Sequence, residues 1–242
     1  MSFSSSSSND IKDWNRIADA YAGTARSDDF VNRQFKTVLW ECLGDVRDKD
    51  VLDLGCGAGW LSKQLFERGA HVVGVDGSIE LVERAQADVP GVEFLAYDLA
   101  QGLPPGTQRF ERIVANMVLM DIPDLSLLMR DVREHLQPNG KFLFTMQHPC
   151  FFNIKSHRDE EGHLFKKLTG YLQPDVWRME GFGGHNHYHR SLTFYFDLLR
   201  ENRLAVTRFY EPPHQSATQR SENDARFFEN IPIFLLIEAV MF

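Results

Sequence analysis

The chain has 242 residues, a formal net charge of -8 and a pI near 5.6, and its lysines and arginines are scattered. Without a basic patch, duplex nucleic acid is not an expected partner. The three cysteines show no C-x-x-C spacing, which argues against a disulfide framework or a zinc knuckle and favours a reducing, cytoplasmic location. The longest apolar run, at residues 231–242, contains Glu238 and is too short to cross a bilayer, so no membrane association is expected.

The N-terminal segment divides into a polar tail and two predicted helices. Residues 1–9 are rich in serine, as in disordered tails. Residues 10–48 place Trp14 and Tyr21 at helical spacing and continue into a second helical segment that ends near Leu43. We expect these two helices to form a lid, within one domain that spans residues 10–242.

From Asp50 onward, predicted strands alternate with predicted helices. The helices cover residues 60–68, 79–87 and 123–136, and the strands are "VLDL", "HVVGVD", "VEFLAYDL", "RIVANMV" and "GKFLFTMQH". Such alternation is typical of an α/β fold in which helices cover both faces of a parallel sheet. We assign residues 50–148 to this core, where "QPNG" ends a helix and turns the chain into the fifth strand.

The periodicity fails over residues 149–190, directly after the fifth strand. This insertion is rich in glycine and aromatic residues, and irregular segments of such length are usually lids or binding loops. Regular patterns return over residues 191–242. They predict a helix at "SLTFYFDLLREN", a strand at "RLAVTRFYEP", a polar loop through Asp224 and a last strand at "IFLLIEAV".

A glycine-rich turn in "VLDLGCGAGW" joins the first strand to the next helix. Gly55 and Gly57 allow a ligand to approach the backbone closely. Asp76 ends the second strand, where a carboxylate accepts hydrogen bonds from ribose hydroxyls. Asp53 immediately precedes the turn, where it would repel a pyrophosphate and attract a cation. Two carboxylates therefore suit a ribose with a cationic amino-acid tail, as in S-adenosylmethionine.

Two other functions share parts of this pattern. An NAD-dependent oxidoreductase also has the strand, glycine turn, helix and ribose carboxylate. Its G-x-G-x-x-G spacing differs from the G-x-G-x-G found here, and Asp53 argues against it. A non-catalytic protein that binds S-adenosylmethionine as a sensor or partner subunit is a third hypothesis, because methyl transfer requires no nucleophilic side chain.

Four segments, "VLDLGCGAG", "VVGVD", "YDL" and "ERIVANMVLMDI", resemble the successive motifs of class I S-adenosylmethionine-dependent methyltransferases. The resemblance covers residues 50–148 in order and spacing. It implies a Rossmann-like, seven-stranded, mainly parallel sheet whose last strand is antiparallel. It also implies methyl transfer from S-adenosyl-L-methionine to the oxygen or nitrogen of a small-molecule acceptor. "NMVL" departs from the N-P-P-Y motif of enzymes that methylate base or amide nitrogens, which disfavours nucleic-acid methylation.

The resemblance also implies cofactor-binding roles for particular residues. Asp76 would bind the ribose between Gly77 and Ser78, and Asp98 would bond the adenine amino group beside Leu99. Asp98 is equally consistent with a simple cap on the next turn. The residues expected around the methionine moiety and the transferable methyl group are Asp53, Gly55, Cys56, Gly57, Asn116 and Met117.

Histidines and one tyrosine complete the predicted site. His148 is the candidate general base, because it follows the fifth strand at the sheet edge where an acceptor would enter. Alternatively, it only holds the insertion by a hydrogen bond. Its surroundings, "HPCF", are similar to a subgroup of small-molecule methyltransferases. His185, His187 and His189 would share one face of an extended segment and favour a polar pocket wall over zinc, so no metal is predicted. Tyr21 would close over the cofactor.

Overall fold

The centre of the fold is a seven-stranded sheet, seen in a computed structural model that describes residues 7–25, 30–152, 154–213 and 222–242. In chain order the strands are β1 (Asp50–Leu54), β2 (His71–Asp76), β3 (Glu93–Ala96), β4 (Phe110–Asn116), β5 (Leu136–Gln147), β6 (Ser156–Arg158), β7 (Leu164–Lys166), β8 (Asp175–Met179), β9 (His185–His189), β10 (Leu204–Tyr210) and β11 (Phe234–Met241). The helices are α1 (Ser7–Ala25), α2 (Phe30–Leu43), α3 (Trp60–Glu67), α4 (Ile79–Asp88), α5 (Ser126–His135), α6 (Leu192–Glu201) and α7 (Glu222–Glu229).

The sheet has the strand order β10-β11-β5-β4-β1-β2-β3. Strands β1 to β5 pair in parallel, and β11 is antiparallel to both of its neighbours, β5 and β10. Val51, Leu52 and Leu54 are buried because helices cover both faces of the sheet. The predicted α/β fold, with its seven strands and antiparallel last strand, is confirmed.

Two hydrophobic cores lie on opposite faces of the sheet. On one face, Phe35 of α2 and Val82 of α4 pack against the central strands, together with α3. On the other face, Leu128 of α5 and Tyr195 of α6 do the same. Helix α2 is therefore a layer of the domain core, so the segment expected as a lid, residues 10–48, divides into a covering helix α1 and a core helix α2.

The strand order reverses beside β1, which lies between β2 and β4. In open parallel sheets, ligands bind outside the carboxyl ends of the strands at such a reversal, because the following loops diverge there and leave a crevice. Asp53, Asp76 and Asn116 stand at or next to the carboxyl ends of β1, β2 and β4. The topology thus gathers the sequence-predicted residues at one edge of the sheet.

Some boundaries differ from the sequence prediction. Residues 7–9, expected in the tail, belong to α1, and residues 1–6 lie outside the described part of the chain. The polar loop expected through Asp224 is partly helical, since α7 begins at Glu222. Strand β5 begins at Leu136, earlier than predicted. Its register with β4 shifts, because Phe110 pairs with Leu136 but Arg112 pairs with Lys141. Residues 137–140, where the turn was predicted, therefore form a bulge in β5.

The insertion at residues 149–190 contains two hairpins instead of irregular chain. Strand β6 pairs with β7, and β8 pairs with β9, both antiparallel. In the second hairpin Trp177 lies opposite His187 with parallel rings, 5.2 Å between centroids. Cross-strand aromatic pairs of this kind stabilise a hairpin without the usual apolar alternation, which is why the pattern was not visible in the sequence.

No helix in the described ranges carries an apolar stretch sufficient to span a bilayer.

Candidate active site

The glycine turn after β1 is held against the end of β2. The backbone N-H groups of Gly55 and Cys56 both donate to the carbonyl of Val75, at 2.7 and 3.1 Å. Gly55 has a φ of 64° and Gly57 a φ of 54°, the left-handed region that favours glycine. A Cβ on Gly55 would also overlap the side chain of Val118. The turn therefore has to be glycine to bring its backbone to the pocket wall.

Asp76 anchors this turn with both of its carboxylate oxygens. Oδ2 accepts the N-H of Gly57 and Oδ1 accepts the N-H of Ser78, each at 2.8 Å. Burial raises the pKa of Asp76, and the two N-H donors oppose that shift. A carboxylate oxygen has lone pairs for two hydrogen bonds, so each oxygen retains capacity for one ribose hydroxyl. The geometry suits the ribose-binding role expected for Asp76.

Asp53 lies beneath the turn rather than on the pocket surface. Its side chain is 1% exposed, and the Ser62 hydroxyl donates to its Oδ2 at 2.6 Å. Burial raises the pKa of Asp53 to about 7, against the hydrogen bonds from Ser62. Asp53 is therefore not among the described residues that line the pocket, and a contact of its side chain with the methionine moiety stays a prediction.

A pocket opens above the glycine turn, between α1 and the carboxyl ends of β1, β2 and β4. Four of its lining residues are carboxylates, and no lysine, arginine or histidine is among its described lining residues. The described residues that line it are Asp10, Ile11, Trp14, Tyr21, Gly55, Gly57, Asp76, Gly77, Ser78, Leu81, Asp98, Leu99, Met117, Val118, Asp121, Ile122 and Pro123. Such a wall disfavours an anionic ligand and favours a cationic one.

Three of the four residues predicted near the adenine and the transferable methyl group line the pocket. Asp98 and Leu99 both line it, although Asp98 also accepts the N-H of Ala100 at 3.0 Å and so caps a short 3₁₀ helix at Leu99–Gln101. Met117 lines the pocket with a left-handed φ of 58°. Asn116 does not, because its Oδ1 turns away to accept the Thr145 hydroxyl at 2.7 Å.

Of two other predicted cofactor residues, Ser78 lines the pocket and Cys56 lies behind the glycine turn. Cys56 is buried, and its thiol lies toward β2, where a Cβ on Gly74 would be 3.1 Å from Sγ. It is absent from the pocket lining among the described residues, so it fills space behind the turn. Ser78 does line the pocket, caps α4 by accepting the N-H of Leu81 at 3.3 Å, and donates to Oδ1 of Asn15 on α1 at 2.7 Å.

Helix α1 covers the pocket through an aromatic stripe. The Trp14 and Tyr21 rings pack edge to face with centroids 5.4 Å apart, and Tyr21 lies next to Gly57, whose added Cβ would be 3.1 Å from the ring. Trp14 and Tyr21 also contact the insertion, at His185 and Phe182 respectively. The predicted position of Tyr21 over the cofactor site is consistent with this arrangement.

Asp10 fastens α1 to the second hairpin of the insertion. Oδ2 of Asp10 accepts the Tyr188 hydroxyl at 2.7 Å, and Oδ1 accepts the Asn186 amide at 2.8 Å. Burial raises the pKa of Asp10 despite these two donors. Further along α1, Asp13 forms an ion pair with Arg178 of β8. The covering helix and the β8-β9 hairpin therefore share buried and charged contacts.

Sequence reasoning missed Asp10 and Asp121 as parts of this site. Asp10 lies on the same helical stripe as Trp14 and Tyr21, and a carboxylate on an apolar stripe was the available signal. Nearby, Arg190 is 3% exposed and donates to the carbonyls of residues 119, 122 and 123. These acceptors are backbone groups, which no sequence pattern identifies.

His148 lies between Cys150 at the start of the insertion and Glu211 after β10. It is 1% exposed and lies outside the pocket lining. Its Nδ1 accepts the N-H of Cys150 at 3.1 Å, and its Nε2 lies 2.7 Å from a carboxylate oxygen of Glu211. Burial lowers its pKa, although Glu211 opposes the shift. Both nitrogens are engaged, so the geometry favours the alternative in which His148 holds the insertion over the general-base role.

His185, His187 and His189 share one face of β9, as expected. All three are buried, and Trp177 stacks on His187 and on His189 with centroids 5.2 and 4.8 Å away. Burial and the neighbouring imidazoles lower the pKa of His187 to about 3. Within the described chain, the three side chains do not form a group of converging metal-ligand atoms. His187 and His189 form an aromatic stack with Trp177, and His185 packs against Trp14.

Comparison with known proteins gives one family. The family model described as "Methyltransferase domain" matches residues 24–207. A trans-aconitate 2-methyltransferase from Azoarcus sp. is 37% identical over 110 residues, 45% of this chain and 42% of the relative. A malonyl-[acyl-carrier protein] O-methyltransferase from Pseudescherichia vulneris is 30% identical over 132 residues, 53% of this chain and 52% of the relative. The chain thus matches about half the length of these curated relatives.

Solved structures extend the similarity over most of the fold. An S-adenosylmethionine-dependent methyltransferase from Mesorhizobium loti has a TM-score of 0.73 and 26% identity, with 85% of this chain and 97% of that chain covered. A glycopeptide N-methyltransferase complexed with S-adenosyl-L-methionine shares the fold, with a TM-score of 0.60 at 16% identity, 88% of this chain and 94% of that chain. The chain therefore belongs to the S-adenosylmethionine-dependent methyltransferase family and has its class I fold.

Proposed function

We propose that this protein transfers a methyl group from S-adenosyl-L-methionine to an oxygen or nitrogen of a small-molecule acceptor. The observation that carries the proposal is the charge of the pocket: Asp10, Asp76, Asp98 and Asp121 line it, without a cationic side chain among the described lining residues. S-adenosylmethionine presents a sulfonium, an ammonium and a ribose to such a wall. An anionic dinucleotide does not match it.

The residues present fit the cofactor at three places. Asp76 retains one acceptor site on each carboxylate oxygen for the ribose hydroxyls. Gly55 and Gly57 have no side chain, so their backbone is accessible to the cofactor; an added Cβ would contact Val118 and Tyr21, respectively. The four carboxyl groups of the wall, with Asp53 beneath the turn, supply negative charge when the cationic groups of the ligand favour their ionised forms.

The protein's contribution to the reaction would be orientation and exclusion of water. The bound sulfonium supplies an activated methyl group, which an acceptor takes by in-line displacement. Trp14 and Tyr21 of α1 close the pocket from above, and Met117 and Val118 border it at the end of β4. A dry, closed site keeps water from competing with the acceptor and holds the acceptor in line.

The relatives bear on the acceptor class. Two of them are named as transferring methyl to trans-aconitate and to the oxygen of a malonyl group on acyl-carrier protein. Their names favour an oxygen of an acid or alcohol among the acceptors that we propose. The protein's net charge of -8 adds no support for duplex nucleic acid as a substrate. Its free thiols, Cys42, Cys56 and Cys150, are consistent with the cytoplasm as its location.

Two other functions make different predictions. An NAD-dependent oxidoreductase would place a pyrophosphate at the glycine turn, next to Asp53 and Asp76 and without a compensating cation in the described wall. A non-catalytic S-adenosylmethionine-binding protein would use the same pocket without turnover. The second alternative retains support, because His148, the predicted base, is not among the pocket-lining residues and both of its ring nitrogens have other partners.

The test is release of S-adenosylhomocysteine from S-adenosylmethionine in the presence of pooled carboxylic acids, phenols and amines. We expect release that depends on one acceptor class and disappears in Asp76→Ala. Glu80→Ala, an exposed carboxylate in the first turn of α4, is the matched control and should retain turnover. Binding without release in every pool would support the non-catalytic protein, and the absence of binding would refute the site.

A further inference from the structure

Asp121 is a pocket carboxylate with one oxygen unsatisfied. It ends a short 3₁₀ helix at Leu119–Asp121, in the chain that follows β4, and its side chain lines the pocket. Its Oδ1 is buried and has no hydrogen-bond partner among the described residues. Buried carboxylate oxygens are normally hydrogen-bonded, and an unpaired one usually indicates a missing ligand, ion or proton.

The surroundings of Asp121 make its negative charge costly in the empty pocket. Two carboxylates face it, Asp10 of α1 and Asp76 of β2, and both disfavour its ionised form. The cation nearby is Arg190, whose guanidinium donates to backbone carbonyls at 2.6, 2.8 and 3.3 Å. The phenol of Tyr195 on α6 also faces this charge. Burial and the two carboxylates raise the pKa of Asp121 well above its usual value, so the empty pocket favours the protonated form.

A cation placed in this pocket would reverse that preference. A positive charge within a few ångströms favours the ionised form of a carboxylate and offsets the repulsion from Asp10 and Asp76. The sulfonium of S-adenosylmethionine is such a charge, whereas the thioether of S-adenosylhomocysteine is neutral at the same atom. The ribose, the adenine and the amino-acid tail are common to both molecules, so only the sulfur distinguishes them electrostatically.

We infer that Asp121 is the residue that discriminates the charged cofactor from its neutral product, by ionising when the sulfonium binds. The inference rests on the proposed function, since it requires S-adenosylmethionine in this pocket. On binding, the Asp121 carboxyl releases its proton to solvent. After methyl transfer the sulfonium becomes a thioether, the carboxylate loses its counter-charge and takes up a proton, and the product is held less tightly.

This coupling fixes the sign of a pH effect. Below the pKa of Asp121 in the empty pocket, binding of S-adenosylmethionine has to displace a proton, so its affinity falls by up to about tenfold for each pH unit. Binding of S-adenosylhomocysteine displaces no proton at Asp121, so its affinity lacks that dependence. The dissociation constant of S-adenosylhomocysteine divided by that of S-adenosylmethionine therefore rises with pH, while effects of the shared ammonium cancel in this ratio.

The experiment is isothermal titration of S-adenosylmethionine and S-adenosylhomocysteine between pH 5.5 and 8.5, on wild type, Asp121→Asn and Asp124→Asn. Asp124 is exposed and three residues further on, so Asp124→Asn removes a neighbouring carboxylate without touching the pocket wall. In Asp121→Asn we expect S-adenosylmethionine to bind at least tenfold more weakly at pH 8.5, S-adenosylhomocysteine to bind within threefold of wild type, and the pH dependence of the ratio to disappear. Asp124→Asn should behave as wild type.

Wild type alone gives an independent readout if a variant does not fold. Titrations in two buffers of different ionisation enthalpy report the protons released on binding, and we expect more with S-adenosylmethionine than with S-adenosylhomocysteine. Equal proton release and a pH-independent affinity ratio would overturn the role of Asp121 while leaving the cofactor site intact. If neither molecule binds, the proposed function itself fails.

Discussion

Asp53→Asn should change how the stability of the ligand-free protein depends on pH. The carboxyl of Asp53 is 1% exposed, and burial raises its pKa to about 7 from the ordinary 3.8. Because the folded state binds its proton more tightly than the unfolded state, stability is highest when both are protonated and falls as pH rises toward the folded pKa. An asparagine has no such ionisation, so the variant lacks this part of the pH dependence.

The magnitude follows from the two pKa values. One pKa unit corresponds to about 1.4 kcal/mol, and linkage between 3.8 and about 7 gives a loss of roughly 2 to 3 kcal/mol between pH 5 and pH 7.5. The absolute difference from wild type is smaller, because the asparagine amide gains no acceptor beneath the turn and an unpaired buried donor costs about 1–3 kcal/mol. The slope with pH is therefore the sharper quantity.

Urea unfolding of wild type and Asp53→Asn, followed by circular dichroism from pH 5 to pH 8 without ligand, measures this slope. Glu83→Gln removes an exposed carboxylate on α4 and serves as the control with the same change in charge. We expect the advantage of Asp53→Asn over wild type to grow with pH, and Glu83→Gln to follow wild type. Parallel curves for all three proteins would refute the raised pKa of about 7 for the buried Asp53.

The same substitution should weaken cofactor binding. When ionised, Asp53 places a negative charge beneath the glycine turn, which attracts a cationic cofactor. The neutral amide of Asp53→Asn lacks this attraction. Stability at neutral pH and affinity for S-adenosylmethionine would then move in opposite directions, as is common for strained functional positions. A variant that gained stability and bound the cofactor equally well would show that Asp53 serves only the fold.

Three further substitutions test separate parts of the site. Gly55→Ala should abolish cofactor binding and destabilise the protein, because the added Cβ overlaps Val118. Gly106→Ala, also at positive φ but with open space around it, should lower the free energy of unfolding by only about 1–2 kcal/mol through strain. Thermal melts and isothermal titration of the two variants measure the difference. Tyr188→Phe removes a donor from buried Asp10 and should raise the dissociation rate of S-adenosylmethionine several-fold in stopped-flow, with little change if α1 is held elsewhere. His148→Gln should lower the melting temperature without changing the shape of the pH-rate profile, and loss of one limb of that profile would restore the general-base role.

The fold was predictable because its signals are local. Buried runs such as residues 51–54, glycine at positions that need a left-handed backbone, and Asp76 at a strand end are each visible in a short window of sequence. Their order along the chain fixes which strand ends meet, so the sequence alone predicts that Asp76, Asp98 and Met117 lie at one edge of the sheet.

The rest of the site depends on contacts across long separations. Asp10 and Tyr188 are 178 residues apart and meet only because the insertion folds back over α1. His148 likewise contacts Glu211, 63 residues away in the sequence. The sequence pattern of a histidine at a strand end is the same whether or not the side chain faces the pocket. Asp121 lies within the motif "ERIVANMVLMDI", but the sequence predicts no role for it, since its significance lies in an unpaired oxygen that only the packing reveals.

The most direct test of the central claim is isothermal titration of the purified protein with S-adenosylmethionine, S-adenosylhomocysteine and NAD in parallel at neutral pH. We predict micromolar binding of the first two, abolished in Asp76→Ala, and no heat from NAD. Binding of NAD alone would contradict the account, because it would mean that the carboxylate-lined wall above the glycine turn accepts a pyrophosphate after all.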